Sequence, residues 1–153
     1  MSLKGIKNLG AFSRIKPTIG VNIENFKILG SDFVISDLSG QSSYMNEYIQ
    51  NIDRYLDGAN KLIYVIDLQD KERYNIAISY LNKILEIIKK KYDDIEILIF
   101  LHKFDQDLAQ QNIELNESEV KNLIDTIKGL IPSNLKYKIY KTSIFTVFQK
   151  IVV

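Results

Sequence analysis

Two short runs decide the architecture: KLIYVID at Lys61–Asp67 and IEILIFL at residues 95–101. Each is apolar almost throughout and bounded by charge, the pattern of strands buried on both faces of a parallel sheet. Between them, residues 74–92 place Ile76, Tyr80, Leu81, Ile84, Leu85 and Ile88 at helical spacing. That segment ends in Lys89, Lys90 and Lys91, whose charge suits a helix C-terminus. The spacing therefore predicts two central strands joined by a crossover helix. Further along, residues 106–118 are polar and read as a loop, and Asn116 with Glu119 three residues on is a cap-like start for a helix to about Leu130. A strand over 136–140 and a last helix from Ile144 complete the chain. Towards the start, residues 20–29 alternate Val21, Ile23 and Phe26 with polar residues, turn at Gly30 and Ser31, and return over 33–37 as an antiparallel hairpin. Residues 41–56 carry Tyr44, Tyr48, Ile52 and Tyr55 on one helical face. Alternation of this kind specifies an α/β three-layer sandwich, mainly parallel with one antiparallel hairpin, and puts ligands at the carboxyl ends of the strands.

Composition narrows the class. A chain of 153 residues with 46% hydrophobic and 25% charged residues is the size of one globular domain, expected to occupy residues 1–153 without a linker or repeat. Twenty basic against nineteen acidic residues leave a net charge of +1, so no overall field draws the protein to nucleic acid. No run approaches the ~20 apolar residues of a membrane span. The absence of cysteine excludes disulfide and thiol chemistry and fits a reducing compartment, so a cytoplasmic location is expected, with peripheral contact with a membrane left open.

Three loops at strand carboxyl ends have the content to carry chemistry. In Asp37-Leu38-Ser39-Gly40-Gln41, an aspartate leaving a strand can hold Mg²⁺ through water. The Gly40 N–H can meet a terminal phosphate, and Gln41 can orient an attacking water. The plainer reading is a turn whose Asp and Ser satisfy their own backbone. In His102-Lys103-Phe104-Asp105, an ionised carboxylate accepts two hydrogen bonds, matching the two adjacent donors on guanine's pairing edge. Lys103 can lay its aliphatic stem over a base while its ammonium stays wet. The plainer reading here is a solvated charged turn. Thr142-Ser143-Ile144 follows the last strand, where a backbone N–H could meet a base carbonyl or simply begin a helix.

Taken in order, these motifs resemble a small GTPase of the Ras superfamily, from about Lys16 to the end of the chain. Pro17-Thr18-Ile19-Gly20, the hairpin and the run from Asp37 to Gln41 are similar to the Arf branch. The stretch from Tyr44 to Asp67, His102 where asparagine is usual, and Thr142-Ser143-Ile144 are closer to the Rag branch, and the choice between the two stays open. Ser39 stands where those branches usually have glycine. The resemblance implies a Ras-like P-loop NTPase fold that binds GTP or GDP with Mg²⁺. It implies Thr18 and Asp37 as metal-side residues, Gln41 as catalytic, and Gly40, His102, Lys103, Asp105, Thr142, Ser143 and Ile144 as nucleotide-binding. It further implies effector and regulator proteins that read the Thr18 and Gln41 loops, with dimerisation left open.

One departure matters. The family's phosphate cradle, a strand followed by GxxxxGK[ST], occurs nowhere in these 153 residues. Gly5 and Gly10 have the right separation, but Ala11 and Phe12 stand in place of Lys and Ser/Thr. Residues 1–5 align better with the end of the helix that follows the cradle, so an N-terminally truncated form of the fold is expected, through an internal start or as a fragment. A nucleotide switch and a nucleotide-independent pseudo-GTPase docking domain therefore both stand as functional readings. A phosphoacceptor domain using Asp37 or Asp67 would need an acidic pair after the first strand, which is not in place.

Overall fold

The computed structural model describes residues 18–92, 94–105 and 116–143, which fall into two compact units divided after Tyr55. The expected last helix from Ile144 and residues 106–115 of the loop expected over 106–118 lie outside the described residues, and Glu117 and Ser118 already belong to a helix. The architecture is α/β: an antiparallel hairpin in the first unit and a three-stranded parallel sheet with helices packed on it in the second.

In the first unit, β1 (Val21–Ile28) and β2 (Ser31–Leu38) pair from Val21 opposite Leu38 to Ile28 opposite Ser31. Only Leu29 and Gly30 remain for the turn. Both have positive φ, 50° and 82°, the mark of the type I′ loop whose twist suits a hairpin. Leucine is an unusual residue there, and Leu29 projects 97% exposed. Across the ladder, the Phe26 and Phe33 rings stack with centroids 5.5 Å apart.

The helix expected over 41–56 is two helices, α1 (Ser42–Gln50) and α2 (Ile52–Leu56). The break is at Asn51, whose backbone N–H and side-chain amide both donate to the Glu47 carbonyl, at 3.0 and 2.9 Å. A short amide that satisfies the backbone locally competes with continued helix. The tyrosine face survives the break: Tyr48 stacks on Tyr44 at 6.1 Å and meets the edge of Tyr55 at 5.6 Å. Tyr48 is buried and its hydroxyl donates to the Gly20 carbonyl at 2.8 Å, so helix and hairpin are joined through a satisfied polar group.

In the second unit, β3 (Lys61–Asp67), β4 (Glu96–His102) and β5 (Tyr137–Lys141) form a parallel sheet in the order β3-β4-β5. Helix α3 (Tyr74–Lys91), entered through a 3₁₀ turn at Lys71–Arg73, joins β3 to β4, and α4 (Glu117–Leu130) precedes β5. Ile97, Ile99 and Leu101 of β4 share one face and are fully buried, as are Leu81 and Ile88 of α3 and Ile127 of α4. On the same face, Tyr64 of β3 donates to the Ala77 carbonyl of α3 at 2.8 Å, and burial pushes its hydroxyl pKa well above the usual tyrosine range. The expectation that β3 is buried on both faces holds for one face only. Ile66 is buried, whereas Ile63 and Val65 on the other face are 51% and 55% exposed. Among the described residues β3 has one ladder partner, β4, which makes it an edge of this sheet.

The cap at Asn116 forms as expected in one half. Its Oδ1 accepts from the Ser118 N–H at 2.9 Å. The Glu119 carboxylate does not turn back to the cap but pairs with Lys71.

At the start of the sheet Glu96 accepts from Lys61 of β3 and from Lys138 of β5, the latter at 2.7 Å, so one carboxylate links three strands. The hydrogen bonds from Lys138 and then Lys61 hold its carboxyl pKa near 2, below the ordinary 4.5. A depressed folded pKa means that this link stabilises fully above the ordinary value and is lost as pH falls through the folded one. The melting temperature of the wild type should therefore exceed that of Glu96→Gln at neutral pH, and the difference should close between pH 4.5 and about 2. A gap unchanged over that interval would remove the charge from the explanation.

Candidate functional site

The carboxyl ends of the parallel strands gather a laced set of polar side chains. The chain leaves β3 at Asp67, β4 at His102 and β5 at Lys141. The turns that follow are joined by main-chain bonds: Leu68 N–H to the His102 carbonyl at 2.9 Å, Phe104 N–H to the Thr142 carbonyl at 3.0 Å, and Thr142 N–H to the Leu101 carbonyl at 2.9 Å. On this frame His102 Nδ1 lies 3.0 Å from Thr142 Oγ1. The Lys103 ammonium pairs with the Asp67 carboxylate at 2.7 Å. Asp105 takes one donor on each oxygen, the Ser143 hydroxyl on Oδ1 and the Gln69 amide on Oδ2 at 3.3 Å.

The tight turn after β4 has a backbone cause. Lys103 sits at φ 62°, in the left-handed region that costs a residue with a Cβ about 1–2 kcal/mol. Phe104 is then turned outward, 40% exposed, with the Lys141 ammonium 4.5 Å from its ring centroid. The structure thus brings together His102, Lys103, Asp105, Thr142 and Ser143, all singled out from sequence, while Ile144 lies outside the described residues. It also adds Gln69, which sequence reasoning missed, and Asp67, which was weighed there only as a phosphoacceptor. The signal was available, since both are polar residues at the carboxyl end of a strand, where α/β sheets place their ligands.

In the first unit, the Thr18 hydroxyl donates to Asp37 Oδ2 at 2.8 Å, placing two hard oxygen donors side by side. Ser39 is buried, its N–H bonded to the Gly20 carbonyl at 2.9 Å and its Oγ accepting the Gln41 N–H at 3.3 Å. Gln41 caps the start of α1 with its side chain exposed. A Cβ at Gly40 would meet nothing within 4 Å, so no contact among the described residues demands glycine there. Among the described residues no group of three or more His, Cys, Asp or Glu gathers for a metal, and no helix is long and apolar enough to cross a membrane.

Residues 10–153 match the family described as the Gtr1/RagA G protein conserved region. Over 91 residues the chain is 36% identical to ADP-ribosylation factor-like protein 6 of Danio rerio, covering 60% of this chain and 47% of that protein. Over 121 residues it is 31% identical to ADP-ribosylation factor-like protein 1 of Saccharomyces cerevisiae, covering 74% and 61%. It thus spans roughly half to three-fifths of the length of these curated relatives. In three dimensions it resembles the Arl6 BBS3 small GTPase of Trypanosoma brucei, solved with the nucleotide analogue GppNp, with a TM-score of 0.66 at 21% identity over 85% of this chain and 72% of that one. The mammalian SRP receptor superposes with a TM-score of 0.62 at 16% identity, over 84% and 77%. At such identities the likeness is one of fold.

Proposed function

Since the chain belongs to the Gtr1/RagA family of G proteins, small GTPases of the Arf and Rag type, we propose that it carries the guanine-reading part of a GTP/GDP switch. The observation that supports this best is Asp105, a carboxylate fixed through both oxygens at the carboxyl end of a parallel sheet beside Lys103 and Ser143. Each of its oxygens keeps a lone pair for the two donors of a guanine edge. In this reading His102, Lys103, Thr142, Ser143 and Ile144 surround the base, Gly40 meets a phosphate, and Gln41 orients the attacking water. Thr18 and Asp37 fit Mg²⁺, which prefers oxygen ligands and is bound through one or two protein groups together with phosphates and water. When bound, the ion would neutralise charge between the outer phosphates. Effectors and regulators would read the Thr18 and Gln41 loops, in the cytoplasm or at a membrane surface, and residues 1–153 would act as one domain.

The alternative is a nucleotide-independent docking domain that keeps the fold as a surface, since a fold by itself does not fix a function. The two separate on base specificity. In a version extended with a strand and a GxxxxGK[ST] loop, Asp105→Asn should reverse the preference between GTP and XTP in competition binding. The amide presents a donor where the carboxylate accepted. One charge-assisted hydrogen bond contributes about 1.5–3 kcal/mol, so the change should be roughly ten- to a hundredfold. An unaltered preference would take Asp105 out of base recognition and leave the docking reading standing.

A further inference from the structure

The turn after β3 reaches into the base-reading loops, and its geometry singles out Gln69. Asp67 ends β3 and its carboxylate takes the Gln69 N–H at 2.9 Å and the Lys103 ammonium at 2.7 Å. An aspartate that accepts from the N–H two residues on closes a tight local turn. Leu68, inside that turn, is fully buried, and its carbonyl accepts the Tyr74 hydroxyl at 2.6 Å. The backbone that carries Gln69 is therefore held at three points. Its side chain lies against the turn after β4, where Nε2 donates to the Lys103 carbonyl at 3.2 Å and to Asp105 Oδ2 at 3.3 Å. Both partners are acceptors, so only the amide nitrogen can face them, which settles the orientation of the group.

Two consequences follow from elementary chemistry. A donor on the Lys103 carbonyl supports the left-handed geometry of that residue, which is otherwise unfavourable. The terminal torsion of an aspartate is broad, and one donor alone leaves the carboxylate free to swing. With Ser143 on Oδ1 and Gln69 on Oδ2, a single plane remains. We propose that Gln69 is a positioning residue for base recognition, an amide clamp that sets the plane of the Asp105 carboxylate for a purine presenting two adjacent donors. The clamp rests on the reading of Asp105 as the base acceptor. Its distinguishing property is that it acts through Asp105 without touching the base, so it should govern discrimination between bases rather than stability.

The test uses the full 153-residue chain, titrated by amide-shift NMR with guanosine monophosphate and with inosine monophosphate, which lacks the exocyclic amine. The wild type should favour the guanosine nucleotide. Gln69→Ala and the isosteric Gln69→Glu should both lower that preference about tenfold, the value of one charge-assisted bond. Gln69→Lys, which keeps a donor of sufficient reach, should restore most of it. Thermal melting should fall by no more than a few degrees in all three, the loss of one partly exposed hydrogen bond. If the wild type shows no preference, the base-reading assignment itself fails and the clamp with it. If the wild type discriminates and Gln69→Ala and Gln69→Glu discriminate equally well, the clamp alone is overturned.

Discussion

Calorimetric titration of the 153-residue chain with GTP and Mg²⁺ should show no sub-micromolar binding. The loops that would read guanine are all present in the sequence, from His102 to Asp105 and from Thr142 to Ile144, so base contacts remain available. The phosphates are a different matter. The family holds them with a cradle of backbone N–H groups, a lysine and a Mg²⁺-binding hydroxyl, none of which these residues supply in a GxxxxGK[ST] run. On the function proposed above, Thr18, Asp37 and Gly40 alone would be left to meet three or four charged oxygens. Each charge-assisted hydrogen bond contributes about 1.5–3 kcal/mol, so the loss of several lowers affinity by many powers of ten. For the same reason GTP at micromolar concentration should leave the melting temperature unchanged, because a ligand stabilises a fold by RT ln(1 + [L]/Kd), which vanishes when its concentration is far below Kd. Sub-micromolar binding would mean that residues 1–16 form a phosphate site of another kind. Extension with a GxxxxGK[ST] segment should bring the affinity back.

The second large effect is expected at Leu68. This side chain is fully buried in the turn after β3, and its own main chain bonds His102 and Tyr74. Removing three buried carbons costs the transfer energy of the lost atoms and leaves a cavity, together about 2–5 kcal/mol. Against a total of about 5–15 kcal/mol for a domain of this size, Leu68→Ala should move the urea midpoint far down or prevent folding. Leu68→Met, which keeps the volume, should cost less than about 1.5 kcal/mol. Equal midpoints for Leu68→Ala and wild type would show that the turn is not packed as described.

Much of this was legible before any coordinates. The apolar runs of β3 and β4 and the helical spacing of α3 need only the periods of strand and helix, and their observed limits differ from the expected ones by a residue or so. The hairpin was legible from Gly30 and the alternation around it, but its register was not: the turn is Leu29 and Gly30 rather than the expected Gly30 and Ser31, and Ser31 already pairs with Ile28. The helix over 41–56 differs from expectation at one point, Asn51, whose side-chain amide bonds the Glu47 carbonyl, while the tyrosine face runs on across the break.

By itself the sequence determined the α/β class, the order of elements, and which turns hold acid, amide and hydroxyl groups, since these depend on periodicity and on chemistry local to each segment. The tertiary structure alone decided which of those groups meet. Asp105 finds Ser143 thirty-eight residues away and Gln69 thirty-six residues away, and Lys103 turns to Asp67. It also decided that β3 stands at an edge of the described sheet with Ile63 and Val65 exposed. Such pairings depend on the register between parallel strands and on the tight turns beyond them. Those are set by packing across the whole sheet, and no window of neighbouring residues contains them.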